Sequence, residues 1–133
     1  MDIAIFKKMR AKPQCTAAAF YDPNSYPKWP EMNWDADGKV DFVHLFVESR
    51  KQFAERFLQA EKSCKDEGLF WISYPKSHGK IKYDINRDSL WELLLSVGFH
   101  PVAQVSLSEN WSAVRVKKNE EGAVYERPGN VKR

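Results

Sequence analysis

Gly68-Leu69-Phe70-Trp71-Ile72-Ser73-Tyr74-Pro75-Lys76 is the stretch whose reading decides the fold. Apolar side chains occupy consecutive positions, so both faces of an extended segment are covered, as in a strand between two helical layers. Pro75 has no backbone N–H to offer a ladder and stops the strand, leaving Lys76 just outside.

Upstream, residues 50–67 carry Phe53, Phe57, Ala60 and Cys64 at steps of three and four, widened by Ala54 and Leu58. That spacing predicts an amphipathic helix, with Gly68 as its C-terminal stop. Residues 40–47 (Val-Asp-Phe-Val-His-Leu-Phe-Val) place Val40, Phe42 and Phe46 on one face and Val43, Leu45 and Val47 on the other. This is a second strand covered on both sides, and strand, helix and strand make a right-handed crossover unit with parallel pairing. His44 sits in its middle with no second ligand at metal spacing, so it is read as a satisfied core residue.

Further upstream, residues 14–21 are framed by Pro13 and by Asp22-Pro23, and their alanines are read as a strand of small side chains. Residues 22–39 hold Pro23, Pro27 and Pro30, Trp29 and Trp34, and the turn signal Asp37-Gly38. Such a segment cannot be a long helix, and its tryptophans are expected to lie over the core. Ile3, Ile5, Phe6 and Met9 among lysines predict a short opening helix.

Downstream, residues 77–83 form a polar loop with Lys80 and Lys82. A Leu/Trp-rich helix follows, ended by Gly98. Ser89 and Glu92 have capping-box spacing, and Asn86 or Asp88 serves equally as the cap. Residues 101–107 and 111–117 read as strands joined through Ser108-Glu109-Asn110. Residues 1–118 are expected to form one domain, and 119–133, with Gly122, Pro128 and Gly129, a mobile tail.

The chain has 133 residues, 43% hydrophobic, and a net charge of +3. Residues 1–68 carry 11 basic against 11 acidic side chains, and 69–133 carry 10 against 7, which ordinary solubility explains. No apolar run approaches the roughly 20 residues of a membrane helix, and the opening lacks a signal-peptide core. Cys15 and Cys64 have no ligand spacing and are expected to be reduced thiols in a cytoplasmic protein.

The order strand, strand, helix, strand, helix, hairpin resembles the second half of the S-adenosylmethionine-dependent methyltransferase fold. The resemblance implies a three-layer α/β domain with a five-stranded mixed sheet of order 1-2-3-5-4, only the last strand antiparallel. Tyr74-Pro75-Lys76, Asp84 before the Leu/Trp-rich helix, and Asn110-Trp111-Ser112 resemble an uncharacterised bacterial family of small proteins with a reduced, Rossmann-like version of that fold. That likeness covers about residues 68–118, with a weaker match at Ile5-Phe6-Lys7-Lys8, and implies no activity.

The departures from the enzymes bear on function. Their cofactor site uses a glycine-rich turn after the first strand, where the backbone must approach the ligand closely. Here that strand runs into Asp22-Pro23-Asn24-Ser25-Tyr26-Pro27, and no glycine appears before Gly38. About 18 residues separate the first two strands, too few for a crossover helix and two more strands. The cofactor-binding half is therefore expected to be missing, and no cofactor or metal is expected.

No nucleophile sits beside a base: His44, His78 and His100 are scattered, and neither cysteine lies in a motif. Asp22, Asp35, Asp37 and Asp41 are acidic residues around the strand ends, and turn chemistry explains the first three. In open α/β sheets ligands bind beyond the carboxyl ends of the parallel strands. That edge collects Asp22, Glu48, Ser49, Tyr74 and Lys76 as candidate ligand residues and no catalytic set. Lys76 is read first as pairing with Asp84 or Asp22 to staple loop to sheet, and second as a ligand contact.

The leading functional reading is a non-catalytic methyltransferase-like domain that binds a protein or small ligand at this edge. The second is an enzyme acting on a small anion through Asp22, Tyr74 and Lys76. The third, and weakest, is nucleic-acid binding through Lys76, Lys80, Lys82, Arg115, Lys117 and Lys118. Oligomeric state is left open, with Trp29 and Trp34 as a dimer contact if they are exposed.

Overall fold

The structure, a computed structural model, describes residues 1–77 and 82–125. Residues 78–81, at the centre of the expected lysine loop, and 126–133 of the expected tail lie outside them. The elements are α1 (Ala4–Lys8), β1 (Ala17–Phe20), β2 (Val40–Phe46), α2 (Arg50–Lys62), β3 (Cys64–Pro75), α3 (Arg87–Ser96), β4 (Phe99–Ser106) and β5 (Trp111–Lys118). They form a five-stranded sheet in the order β1-β2-β3-β5-β4. β1, β2 and β3 are parallel, and β5 runs antiparallel to both its neighbours.

The sheet separates two apolar layers. Against one face lie Phe53, Phe57 and Ala60 of α2 and Leu90 and Leu94 of α3, packed on Val43, Leu45, Phe70 and Ile72. Against the other lie α1 and the proline-rich segment, whose Phe6, Tyr26 and Met32 cover Phe42, Phe46 and Trp71. Trp29 stacks on Phe6 at 5.9 Å, and Trp34 meets the same ring edge-on while its indole N–H donates to the Trp29 carbonyl at 2.8 Å. Both are half-buried, so the prolines and tryptophans build a layer of core where a crossover helix is usual.

The boundary between α2 and β3 differs from expectation. The helix ends at Lys62, five residues before the expected Glu67, and Ser63 passes its carbonyl to Val40 N–H at 2.8 Å. Cys64 pairs with Val40 and Leu69 with Phe42, so the intervening residues bulge out of the β2–β3 ladder. Gly68 lies inside this bulge and is no helix stop: a Cβ there would sit 2.9 Å from the Asp41 carbonyl oxygen and from Cys64 Sγ. Ala54 and Leu58, expected to widen the buried stripe, are exposed. The slip also turns Val40 to the α2 side, away from Phe42 and Phe46.

Elsewhere the caps follow local chemistry. Ser49 accepts from Gln52 N–H to start α2, and Asn86 with Ser89 forms a reciprocal capping box for α3. Gly98, at φ 82°, supplies the left-handed turn into β4. Beyond β5, Asn119 N–H returns to the Gly98 carbonyl and Tyr125 stacks on His100 with ring centroids 3.9 Å apart.

Candidate functional site

Parallel register sets the strand-end edge. Phe20 lies beside Leu45 and Leu45 beside Ile72, so the chain leaves β1, β2 and β3 at one level. Asp22, Glu48, Ser49, Tyr74 and Lys76 therefore share that end of the sheet, but their side chains do not converge on one point.

Ser49 is engaged as the α2 cap, and Gln52 Oε1 accepts from Glu48 N–H at 2.7 Å. Tyr74 belongs to the α2–α3 core, and its hydroxyl accepts from Gln104 Nε2 at 3.0 Å. Burial raises its pKa, opposed by a hydrogen bond with Ser112 and the Arg87 charge. Asp22 lies toward the other face, near enough to Tyr26 to add to the burial that pushes that phenol upward. Lys76 Nζ donates to Ser106 Oγ and to the Ser108 carbonyl oxygen at 2.8 Å. It staples β3 to the β4–β5 hairpin, not to Asp84 or Asp22 as expected. Asp84 instead accepts from Arg50 N–H at 3.0 Å, and its carbonyl takes Arg50 Nε–H.

Two features of this edge escape a reading of local pattern. The first is Tyr21, which occupies the turn after β1 at φ 60°, a left-handed conformation that favours glycine. The Arg56 guanidinium lies 3.9 Å above its ring, and its hydroxyl donates to Gln59 Oε1 at 3.1 Å. Arg56 Nη1 also donates to the Phe46 carbonyl at the end of β2. The stack thus ties the ends of β1 and β2 to α2.

The second is a polar chain beneath the edge. His44 is fully buried; its Nδ1 lies 3.0 Å from Tyr26 Oη and its Nε2 2.6 Å from Ser73 Oγ. Burial pushes the imidazole pKa down to about 3, so the ring is neutral, one nitrogen donating and the other accepting. Phe46 stacks on it at 4.3 Å, and Tyr26 meets it edge-on. A serine–histidine–tyrosine chain has the elements of nucleophile activation, but Ser73 and His44 are both sealed from solvent at 0% exposure. Its visible work is to satisfy three buried polar groups and fix Tyr26 over the sheet.

Asp41, grouped in sequence with the carboxylates of the strand ends, lies at the opposite end of the sheet. There it accepts from Thr16 and pairs with Lys65 at 3.0 Å, the contact that most lowers its pKa. A cavity of about 700 Å³ opens beside it, lined among others by Arg10, Lys12, Cys15 and Leu69. Cys15 and Cys64 are free thiols; burial, then the Glu61 charge, pushes Cys64 up to about 11, so it stays protonated at neutral pH. No group of metal-ligating side chains occurs among the described residues, and none of their helices is long and apolar enough to cross a membrane.

No family model and no curated protein sequence matches the chain. Solved structures do share its fold. The ribosomal protein L11 methylase of Lactobacillus delbrueckii subsp. bulgaricus superposes with a TM-score of 0.54 at 11% identity, over 89% of this chain and 76% of that one. A Streptococcus agalactiae protein of the NADB-Rossmann superfamily gives 0.53 at 10% identity, over 93% and 71%. The B. subtilis M1A22 tRNA methyltransferase TrmK gives 0.51 at 9% identity, over 90% and 67%. At these identities the likeness is one of fold: a methyltransferase-like α/β sheet.

Proposed function

We propose that this chain is a methyltransferase-like domain that binds a partner at its strand-end edge and does not transfer methyl groups. The observation that supports this most is the Tyr21–Arg56 stack, which occupies the ends of β1 and β2 where related enzymes need a glycine turn and an open crevice. Strand ends tied to α2 in this way offer a surface rather than an open pocket. That surface presents Tyr21, 52% exposed as a residue, and the acidic residues Asp22 and Glu48, which suits a protein partner with a basic contact patch better than a small ligand.

The competing enzyme reading asks Asp22, Tyr74 and Lys76 to act together on an anion. Tyr74 in the α2–α3 core and Lys76 on the hairpin weigh against that. We also assign the chain to the small bacterial family that its Tyr74-Pro75-Lys76 and Asn110-Trp111-Ser112 segments resemble, working reduced in the cytoplasm.

The test is calorimetric titration with S-adenosylmethionine, followed by crystallography of the protein grown with it. No heat and no bound cofactor are expected; the cofactor seated at the ends of β1 and β2 would overturn the proposal.

A further inference from the structure

β4 closes one side of the sheet, with β5 on its inner flank and no strand on its outer one. The Leu107 N–H donates to the Trp111 carbonyl at 2.9 Å, so Leu107, Val105 and Ala103 are the residues that exchange hydrogen bonds with β5. Gln104 and Ser106 lie between them and turn their N–H and C=O groups outward. The bond from Asn119 N–H to the Gly98 carbonyl sets the same alternation before the bulge, which puts Pro101, with no N–H to leave unpaired, on the open side. Lys8 Nζ donates to the Ser106 carbonyl at 3.1 Å; the Ser106 N–H and both backbone groups of Gln104 are unbonded among the described residues. Phe99–Ser106 contains no Asp, Glu, Lys or Arg, the charges that commonly guard such an edge.

A groove of about 210 Å³ runs beside this edge, between β4 and α3, with Leu90, Trp91, Pro101, Val102 and Val114 along it and Arg87 from the start of α3. Val102 is 43% exposed. The Gln104 side chain reaches the Tyr74 hydroxyl in the α2–α3 layer, so a residue paired beside Gln104 would also point toward the groove. Ser106, two positions on, faces the same way. Cations gather at that end. Lys8 holds the Ser106 carbonyl, Lys76 holds its Oγ, and Arg87 lies close enough to bear on Tyr74, which pairs with Ser112 opposite Ser106. None of the three is ion-paired among the described residues.

We propose that this edge and groove bind an extended segment of a partner protein, added antiparallel to β4, with an apolar residue opposite Gln104 and an acidic residue two positions before it. Backbone bonds to Gln104 hold the segment, and the apolar side chain enters the groove. The acidic side chain, about 7 Å further along, meets the cations at Ser106. A second copy of β4 would not answer those charges, because Phe99–Ser106 has no acidic residue. The site lies on the opposite side of the sheet from Tyr21 and stands whether or not the strand-end edge binds a partner.

The experiment is an NMR titration of ¹⁵N-labelled protein with the blocked heptapeptide acetyl-Thr-Thr-Asp-Thr-Leu-Thr-Thr-amide. Saturable shifts are expected at the amides of Leu90, Trp91, Val102 and Gln104. N-methylation of the peptide's leucine, whose N–H faces Gln104, is expected to weaken binding about tenfold, and N-methylation of the threonine after it, whose N–H points away, to leave it unchanged. Lysine in place of the peptide's aspartate is expected to weaken binding about fivefold, and Arg87→Glu to narrow that preference. The proposal is overturned if the peptide does not bind saturably, if the two methylated peptides bind alike, or if the lysine peptide binds as tightly as the parent. It is also overturned if the protein sediments as a dimer that Gln104→Pro converts to a monomer, which would give the edge to a second copy.

Discussion

His44 carries the clearest consequence at the scale of one residue. Unfolded, it takes a proton near its ordinary 6.5; folded, only near 3. Between those values the unfolded chain binds more protons, so the contribution to stability is whole above pH 6.5 and is lost as pH falls toward 3. Urea denaturation should show a loss of about 2 kcal/mol from pH 7 to pH 5, and His44→Asn should remove most of that slope. An equal slope in the variant would show that other groups govern the acid response. That His44 is a core residue was legible from its place in an apolar strand. Its partners were not, because Tyr26 and Ser73 lie 18 and 29 positions away and only the folded sheet brings them within bonding distance.

Among the elements, the α2–β3 junction shows what pattern alone cannot resolve. Phe53, Phe57, Ala60 and Cys64 keep helical spacing through the junction, and Gly68 resembles a C-terminal stop, so the helix reads as longer than it is. What ends it at Lys62 is the pairing of Cys64 with Val40, a contact invisible to local periodicity. Gly68 is there for space, since its φ is not left-handed and a Cβ would press on Asp41 and Cys64. Gly68→Ala should therefore destabilise the protein by about 1–3 kcal/mol, read as a lower urea midpoint with an unchanged slope. A neutral outcome would mean that the bulge relaxes freely. By contrast β2, covered on both sides, and the hairpin closed at Ser108-Glu109-Asn110 were legible because their signals are local and consecutive.

Across the whole molecule, the observed order β1-β2-β3-β5-β4 is the one that the resemblance to the methyltransferase fold implied, whereas the composition of the second layer was not legible. Proline and tryptophan in residues 22–39 announced irregular backbone; that they complete a core over Phe6, Phe42 and Phe46 depends on tertiary packing. Trp29, Trp34, Trp71 and Trp111 all lie in that layer, so tryptophan fluorescence reports chiefly on it, while circular dichroism reports on every helix and strand. Because one sheet is shared by both layers, the two probes should give coincident urea transitions. A fluorescence midpoint at lower urea would show that residues 22–39 detach first.

The insertion of β5 between β3 and β4 also constrains the order in which a growing chain can complete itself. At the ribosome β1, β2 and β3 emerge first and can pair as they appear, but β4 follows with no neighbour to join. Until residues 111–118 have emerged, the Trp71–Pro75 edge stays bare and Lys76 lacks its hairpin acceptor. Of these strands the last made is the one that joins the two halves of the sheet, so the nascent chain is most open to capture by chaperones until residues 111–118 have emerged.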